Sequence, residues 1–440
     1  MFHTGCCKEA KRFLTFLVSF ILLFLAFTHH HLVYEYYSDI TTSKKSYRTA
    51  PPPGKLQIDM CQKRSRDSYS SSFDCGKIVK GKRAEIRRAE RFFRLDSLTI
   101  NADRNICMEV MPLPNCPAAS EKQLQLERQF PIAFSILVYT NLEQVIQMLR
   151  VIYRPWNVYC FHVDSNAKPG MLSGIRKLVQ CAPNLLTPEH SEAVTWGQIS
   201  VLRAALHCFK SLERSTQTWY HLVNIAGTDF PLKTNLELVS YLKQLDDRSD
   251  IQDIPIARME RWKFENSFIN GTSFAELQRI KHSLRDGTFQ HKKSPPPHGL
   301  NIHKGSFSAA LHRNFVEFLL HSTIAKDLLT WLEDTFIPDE LFFSTLYHDF
   351  FLPNVLRSPS FNASESTQKE PFRIRYTHWG DTQPNCHGYY EHGLCVFGVA
   401  DLQWLLQKPM FFAHKFNKHI QPVAIDCLES HVDSRYKSLE

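Results

Sequence analysis

The chain has 440 residues, of which 43% are hydrophobic and 22% are charged. This length and composition exclude a disordered protein and allow one large core or two medium-sized ones. The net charge of +8 is modest and spread along the chain. Such a spread suits solvated faces and an anionic small ligand better than it suits nucleic acid. We therefore expect a folded protein that does not bind DNA or RNA.

The N-terminus predicts a membrane anchor. Residues 13–27, FLTFLVSFILLFLAF, carry no charge, and basic residues precede them. Because positive charge favours the cytoplasmic side, the rest of the chain should face a lumen. The run is short for a membrane span, so a cleaved signal peptide is the alternative. However, no convincing small-residue cleavage site follows, and the apolar stretch extends to residue 33. We predict a cytoplasmic tail over residues 1–12 and an uncleaved signal anchor over 13–33.

The cysteines and sequons agree with that orientation. Ten cysteines follow the predicted anchor, an even number that an oxidising lumen could convert to five disulfides. No CxxC pair or zinc-like histidine spacing occurs among them, so metal ligation is the weaker interpretation. Two sequons, at Asn270 and Asn362, predict N-glycosylation in the secretory pathway.

The composition of the chain changes near residue 120. Residues 34–120 are polar, with stalk-like stretches such as TTSKKSYRTAPPPGK and SRDSYSSSFD around a basic helical stretch near 77–95. Short apolar runs then alternate with amphipathic segments, which indicates a folded domain. We predict a lumenal stem over 34–120 and one folded domain over 121–440.

The folded domain predicts strands and helices in alternation. Strands are expected in IAFSILVYT, NVYCFHVD and WYHLVNIA, and helices in LEQVIQMLRVIY, ISVLRAALHCFKSL and LELVSYLKQL. No internal repeat is visible. The alternation predicts an α/β fold with a mostly parallel central sheet.

Three acidic residues stand out in this pattern. Asp164 closes the second strand and Asp229 follows the third, and ligands of open α/β sheets bind beyond the carboxyl ends of the strands. Each can instead be a loop or helix-capping aspartate. Glu340 lies in FIPDELFF between apolar flanks, where PDE also suits the start of a helix. No Walker A or GxGxxG pattern occurs in the chain, so no motif supports a kinase or a dehydrogenase.

Six segments carry a more specific pattern: IYRPWNVYCFHVD, HLVNIAGTDFPLKTNLELVSYLK, SPPPHGLNIHKGSFSAAL, IPDELFFSTL, GLCVFGVADLQWLLQKPMFFAHKF and CLE. In order and spacing, from about residue 120 to 430, they resemble the β-1,6-N-acetylglucosaminyltransferases, the core 2 and I-branching enzymes of mucin-type and lactosamine glycans. The resemblance implies a GT-A-type fold for a catalytic domain over 121–440. It also implies UDP-N-acetylglucosamine as donor, an inverting reaction without a metal, and a type II protein of the Golgi membrane.

The resemblance assigns the catalytic chemistry to a few side chains. Glu340 matches the base that takes the proton of the acceptor hydroxyl. No DxD motif occurs in the chain, so fixed cations must neutralise the departing diphosphate, and Lys415 matches one of them. The family's second cation is an arginine where this chain has His392, which has neither the permanent charge nor the bidentate geometry of arginine. We hypothesise weaker or acid-dependent diphosphate stabilisation unless Arg373 or Arg375 substitutes.

Donor recognition is also assigned by resemblance. Asp164 is expected to bind the uridine end of the donor, and Asp229 is expected to shape the donor site. Trp196 either lines the donor pocket or belongs to the core.

Acceptor recognition is assigned to Trp379, as an aromatic platform, and to Arg258 and Arg261, whose alternative is a surface ion-pair cluster. The disulfides that the resemblance implies are Cys75 with Cys427, Cys107 with Cys181, Cys160 with Cys208, and Cys386 with Cys395. Cys61 and Cys116 are left to pair with each other or to remain free. This spare pair leaves open a disulfide-linked homodimer.

The predicted function is inverting transfer of N-acetylglucosamine to the 6-hydroxyl of an acceptor sugar, forming a β-1,6 branch of the core 2 type on O-glycans. Alternatives are I-branching, xylosyl transfer by the same fold, or an anchored glycan-binding homologue with little turnover. His392 favours the last alternative, whereas Glu340 and Lys415 argue against it. The loops around 265–295 match least, and they should decide the acceptor.

Overall fold

The computed structural model of the protein describes residues 72–91, 106–110, 119–256, 261–267, 292–353, 371–380 and 384–439. The predicted anchor, both sequons, Cys61, Cys116 and Arg258 lie outside these ranges. Among the described residues, no helix combines the length and the apolar character needed to cross a membrane.

The helices are α1 (Cys75–Val79), α2 (Arg83–Glu90), α3 (Ile106–Val110), α4 (Glu121–Arg128), α5 (Leu142–Ile152), α6 (Pro169–Val179), α7 (Ile199–Glu213), α8 (Asn235–Leu245), α9 (Trp262–Glu265), α10 (Arg313–His321), α11 (Thr323–Trp331), α12 (Phe342–Thr345), α13 (Leu402–Leu405) and α14 (Pro422–Ser438). The strands are β1 (Ile132–Val138), β2 (Val158–Val163), β3 (Leu185–Leu186), β4 (His221–Ala226), β5 (Asp229–Pro231), β6 (Ala309–His312), β7 (Arg375–Thr377), β8 (Tyr389–Glu391), β9 (Leu394–Val396) and β10 (Phe412–His414). The three strands and three helices predicted from the sequence are confirmed as β1, β2, β4, α5, α7 and α8.

The central sheet has the strand order β3-β2-β1-β4-β6. Strands β3, β2, β1 and β4 run parallel, and only β6 is antiparallel to its neighbour β4. All six residues of β2 are buried, as expected for strands of a parallel sheet that is covered on both faces. The predicted mixed α/β fold with a mostly parallel sheet is therefore confirmed.

A second sheet, in the order β5-β10-β7, joins three distant parts of the chain. Strand β10 runs antiparallel to β5, with His414 opposite Asp229, and parallel to β7, with Phe412 opposite Arg375. Strands β8 and β9 form a separate hairpin. Its two-residue turn, His392 and Gly393, has φ values of 54° and 81°, the left-handed pair that a type I′ turn requires.

The described part of the predicted stem packs into the folded domain. Phe73, Ile78 and Val110 belong to the same hydrophobic core as the central sheet. A disulfide joins Cys75 of α1 to Cys427 of α14. Basic and polar residues dominate the sequence of residues 72–91 and 106–110 and predict a stem, yet five of their apolar side chains are buried: Phe73, Ile78, Ala89, Ile106 and Val110.

The structure contains all four disulfides that the resemblance implies. They join α1 to α14, α3 to the end of α6, β2 to α7, and the segment before β8 to β9. The third bridge, Cys160 to Cys208, lies wholly within the core. Three of these bridges connect elements that are 48 to 352 residues apart in sequence, which restricts the unfolded chain.

Candidate active site

Asp164 lies at the carboxyl end of β2, in the position predicted for a ligand-binding acid. Its carboxylate oxygen Oδ1 accepts hydrogen bonds from the backbone amides of Asn166 (2.8 Å) and Val194 (3.1 Å). The loop that carries Val194 is bound to strand β2, because the amide of Glu192 donates to Nε2 of His162 (2.9 Å). Burial lowers the pKa of His162 to about 4, so its imidazole is neutral and can accept. The carboxylate is thus fixed at the rim of the sheet.

The same loop leads to Trp196, which is 57% exposed. Exposure rules out the core alternative for this side chain and leaves it at the rim. The Trp196 and Phe336 rings meet edge to face at 5.8 Å, and the Gly197 carbonyl accepts from the amide of Ile337 (2.8 Å). A Cβ on Gly197 would lie 2.9 Å from the Phe336 ring, so only glycine allows this approach. The Trp196 loop therefore rests on the segment that leads to Glu340.

Glu340 ends the 3-10 turn Pro338–Glu340, which α12 follows at once. The PDE sequence does start a helical turn, as predicted. The Glu340 side chain on this turn is 29% exposed, so its carboxylate is accessible. Lys304 Nζ lies 3.6 Å from Glu340 Oε2. The Glu340 carbonyl accepts from the amide of Gly305 (2.8 Å). Both the backbone and the side chain of Glu340 are therefore held by the loop that begins at Lys304.

Asp229 is fully buried and organises the second sheet. Its Oδ2 accepts from the amide of Ala226 (2.9 Å), and its Oδ1 lies 2.6 Å from His414 Nδ1 and 3.8 Å from Arg375 Nη1. Burial lowers the pKa of His414, against the opposing pull of the Asp229 carboxylate. With no exposed surface, Asp229 is placed to support neighbouring side chains.

The two arginines considered as substitutes for the family's second cation point in different directions. Arg375 lies beside Asp229, and its Nη2 donates to Ser306 Oγ (3.4 Å). The Arg373 guanidinium lies instead over an aromatic ring of α8, 5.4 Å from the ring centroid. Because Ser306 belongs to the loop that holds Glu340, Arg375 connects the Glu340 turn to the second sheet.

Lys415 follows β10 directly. Its carbonyl accepts from the amide of Phe397 (2.9 Å), which ties it to the end of the β8–β9 hairpin. Its ammonium forms an ion pair with the carboxylate of Glu391, the last residue of β8. His392 comes next in the chain, exposed at the hairpin turn.

Trp379 is exposed beside that turn. It pairs with Leu394 in an antiparallel bridge, and Leu394 also pairs with Glu391 on its other side. Residues directly opposite each other in antiparallel strands point to one face, so Trp379 and Glu391 share a face of the hairpin. The predicted acceptor platform therefore lies close to the Lys415 corner.

Arg261 is exposed at the N-terminus of α9. Its predicted partner Arg258 lies outside the described residues. The role of this basic pair at the acceptor stays a prediction.

Sequence reasoning missed four side chains of this site: Lys304, Ser306, Glu391 and His414. Three of them fall inside quoted family segments, but nothing local marks them as functional. Their contacts become visible only when strands far apart in the sequence are paired.

The described residues contain one grouping of metal-type ligands, formed by Cys386, Cys395 and Asp401. The two sulfurs are joined in a disulfide. The Asp401 carboxylate accepts from three backbone amides, those of His387, Gly388 and Gly398. These groups stabilise the base of the β8–β9 hairpin, so they are structural.

Comparison with known proteins identifies the family of the chain. The sequence model of the "Core-2/I-Branching enzyme" family matches residues 132–406. The human N-acetyllactosaminide β-1,6-N-acetylglucosaminyl-transferase is 33% identical over 76% of this chain and 79% of its own. The mouse β-1,3-galactosyl-O-glycosyl-glycoprotein β-1,6-N-acetylglucosaminyltransferase 4 is 31% identical over 71% of this chain and 68% of its own. A human β-1,3-galactosyl-O-glycosyl-glycoprotein β-1,6-N-acetylglucosaminyltransferase is 29% identical over 85% of this chain and 87% of its own. The resemblance seen in the motifs is thus confirmed, and the chain belongs to the Core-2/I-Branching enzyme family of β-1,6-N-acetylglucosaminyltransferases.

Proposed function

We propose that the protein transfers N-acetylglucosamine from UDP-N-acetylglucosamine to the 6-hydroxyl of an acceptor sugar, with inversion and with Glu340 as the general base. The observation that carries the proposal is the placement of Glu340. Its partly exposed carboxylate lies 3.6 Å from the Lys304 ammonium, and the segment that leads to its turn contacts the Trp196 loop. A base must be both accessible and fixed in direction, and this turn provides both.

The reaction is a single displacement. The acceptor O6 loses its proton to Glu340 and forms a bond to the anomeric carbon, while the bond from that carbon to the β-phosphate oxygen breaks. The electron pair leaves with UDP, whose added negative charge is stabilised by the ammonium of Lys415. The carboxylate of Asp164, fixed at the end of β2, binds the uridine end of the donor. The absence of a DxD motif from the sequence supports a mechanism in which side chains, rather than a metal, stabilise the diphosphate.

Asp229 and Arg375 contact residues that neighbour Lys415 and Glu340. Asp229 is buried against His414, the neighbour of Lys415 in the chain. Arg375 contacts Asp229 and Ser306, so its charge is already partly compensated. By resemblance Lys415 is the main cation for the diphosphate, and His392 adds to it only while protonated.

The proposed product is a β-1,6 branch of the core 2 type on O-glycans. Trp379 provides the aromatic surface for a sugar ring, and Arg258 and Arg261 bind its hydroxyl groups. I-branching of lactosamine is the second candidate, because the human N-acetyllactosaminide enzyme is 33% identical to this chain. A panel containing a core 1 disaccharide and an N-acetyllactosamine acceptor separates the two.

We also propose a type II protein of the Golgi membrane with a GT-A-type catalytic domain in the lumen. The apolar run over 13–33 and the two sequons at Asn270 and Asn362 support this orientation. The four disulfides also support it, since disulfides persist in oxidising compartments. A homodimer linked through the stem is compatible with it.

The test compares the full-length protein with its Glu340→Gln variant on both acceptors, with EDTA present. We expect transfer by the unaltered protein to survive EDTA. We expect Glu340→Gln to lower kcat by about 100- to 10,000-fold, the usual contribution of a general base, while the affinity for UDP is retained. The neighbouring Asp339→Asn change removes a carboxylate from the same turn and serves as control.

Two results would contradict the proposal. Glu340→Gln activity comparable with that of Asp339→Asn would place the base elsewhere. Activity that EDTA abolishes and Mn²⁺ restores would contradict stabilisation of the diphosphate by side chains alone.

A further inference from the structure

Lys415, the proposed cation for the donor diphosphate, already has an anionic partner within the protein. The ammonium of Lys415 forms an ion pair with the carboxylate of Glu391. The side chain of Lys415 is 18% exposed and that of Glu391 is 46% exposed. The lysine is therefore sheltered, while its internal partner lies nearer the solvent.

The backbone places Glu391 over Lys415. The amide of Phe397, just beyond β9, donates to the carbonyl of Lys415 (2.9 Å). The side-chain amide of Asn417 donates to the hydroxyl of Tyr389 (3.2 Å). Tyr389 and Glu391 are two residues apart on one strand and so share a face. The hairpin is thus bound to the segment after β10 on the face that carries Glu391.

The disulfide between Cys386 and Cys395 closes the base of this hairpin. Asp401 accepts hydrogen bonds from backbone amides on both sides of it, those of Gly388 and Gly398. The hairpin therefore has little freedom to carry Glu391 away from Lys415. If the ion pair opens, the Glu391 side chain has to move, and its exposure leaves it room to do so.

We propose that Glu391 is an internal counter-ion that occupies Lys415 in the donor-free enzyme and that the donor diphosphate must displace. The inference rests on the proposed role of Lys415 at the diphosphate. A carboxylate and a diphosphate are both anions, and they repel each other when they approach a single ammonium group. Glu391 therefore lowers the affinity for the donor and favours release of UDP after transfer. It is a residue that sets donor affinity, and it takes no part in the chemical step.

The size of the effect follows from the exposure of the pair. Partly exposed ion pairs shift an equilibrium by a modest factor, so removing the competing charge should strengthen UDP binding by about two- to fivefold. Glu391→Gln keeps the size of the side chain and removes its charge. Because nearly half of the side chain is exposed, the substitution should leave the hairpin intact, and the thermal unfolding midpoint checks this.

The experiment titrates UDP and uridine into the full-length protein and into its Glu391→Gln, Lys415→Gln and doubly substituted variants. We expect Glu391→Gln to bind UDP about two- to fivefold more tightly and to lower the KM for UDP-N-acetylglucosamine by the same factor. Uridine carries no phosphate, so its affinity should not change. Lys415→Gln should weaken UDP binding, and in that background Glu391→Gln should bring no gain, since the two residues act through one contact.

Two controls match the substitution. Glu391→Asp keeps the negative charge and should not tighten UDP binding. Glu317→Gln removes one partner of a comparable ion pair with Arg313 on α10, 3.0 Å apart, and should leave UDP affinity unchanged.

The outcomes separate the inference from the proposed function. If Lys415→Gln weakens UDP binding but Glu391→Gln does not strengthen it, the donor role of Lys415 stands and the counter-ion inference is wrong. If Glu391→Gln strengthens UDP binding equally in the Lys415→Gln background, the gain comes from the change in net charge and does not act through Lys415. The inference is then also overturned. If Lys415→Gln leaves UDP affinity unchanged, the assignment of Lys415 fails and the inference falls with it.

Discussion

His392 occupies the first central position of a two-residue turn, with a φ of 54°. Histidine is enriched in the left-handed region and arginine is not, although neither is branched at Cβ, so the thermal unfolding midpoint has to show that the exchange preserves the turn. The exchange supplies a permanent positive charge next to Glu391 in the chain, close to the ion pair with Lys415. The residue position is therefore a place where diphosphate binding can be strengthened without altering the fold.

We expect His392→Arg to raise kcat/KM for the donor by up to about fivefold, the effect of a partly exposed charge. Steady-state kinetics in UDP-N-acetylglucosamine across pH 5.5 to 7.5 measure it. His392→Gln, which has the same backbone demands and no charge, is the matched control. An unchanged rate together with an unchanged pH profile in the arginine variant would refute the hypothesis of weak diphosphate stabilisation.

At the scale of residues, the sequence predicts most members of the candidate site but not which of their side chains are buried. Asp229 was singled out because it follows a strand, and the structure buries it completely. Its burial depends on strand β10, whose His414 lies 185 residues further along the chain. The sequence around Trp196 suits either the core or a pocket wall, and only its 57% exposure in the structure excludes the core. Burial is a property of the neighbours, so local patterns do not report it.

At the scale of elements, the pairing of β4 with β6 creates a buried pair of histidines. His221 lies opposite His312, with ring centroids 5.1 Å apart. Burial lowers the pKa of His221 to about 3 and that of His312 to about 4. An unfolded histidine has a pKa of about 6.5. Between these values the unfolded chain binds protons that the folded chain does not, so stability falls as the pH falls.

We expect the free energy of unfolding to decrease from pH 6.5 to pH 4.5, with a slope for each such histidine that rises to about 1.4 kcal/mol per pH unit near pH 5. Replacing His221 by glutamine should lower the slope of the unfolding free energy against pH by the amount that one bound proton contributes, even if it costs stability at neutral pH. Urea titrations at several pH values measure the slope. The exposed His419→Gln change is the control, and an equal slope in His221→Gln and the unaltered protein would contradict the expectation.

The elements differed in how well the sequence predicted them. Long apolar or amphipathic segments such as β2 and α7 were predicted because their periodicity is intrinsic. Strands β5, β7 and β10 each have three residues, too few for any period to show. They exist as strands because partners from distant segments complete their hydrogen bonds, and they carry Asp229, Arg375 and His414.

At the scale of the whole molecule, the described part of the predicted stem belongs to the folded domain. Ile78 and Ala89 are buried in the core, and Cys75 is bonded to Cys427 over a separation of 352 residues. Removing these segments would expose the apolar surface that they cover and open a long loop. The start of the folded domain therefore lies before residue 121, within the stretch that composition assigned to the stem.

Truncation at residue 121 removes two disulfides, Cys75–Cys427 and Cys107–Cys181. We expect a fragment that begins at residue 121 to be less stable than one that begins at residue 70 by at least about 2–5 kcal/mol, the typical contribution of one native disulfide. Secreted yield and thermal unfolding midpoint measure the difference. Cys181→Ser together with Cys427→Ser in the shorter fragment controls for the two free thiols that truncation leaves behind. Equal midpoints for the two fragments would show that residues 70–120 contribute no stability.

The sequence by itself determined the α/β class, the family, the predicted anchor and the candidate base and cation, because periodicity and motif order are written along the chain. Only the tertiary structure decided that Asp229 is buried, that Lys304 lies near Glu340, that Glu391 pairs with Lys415, and that Phe73, Ile78 and Ala89 belong to the core. Each of those facts is a contact between segments that lie apart in sequence. Such contacts arise when packing and strand pairing bring the segments together, and no local pattern encodes them.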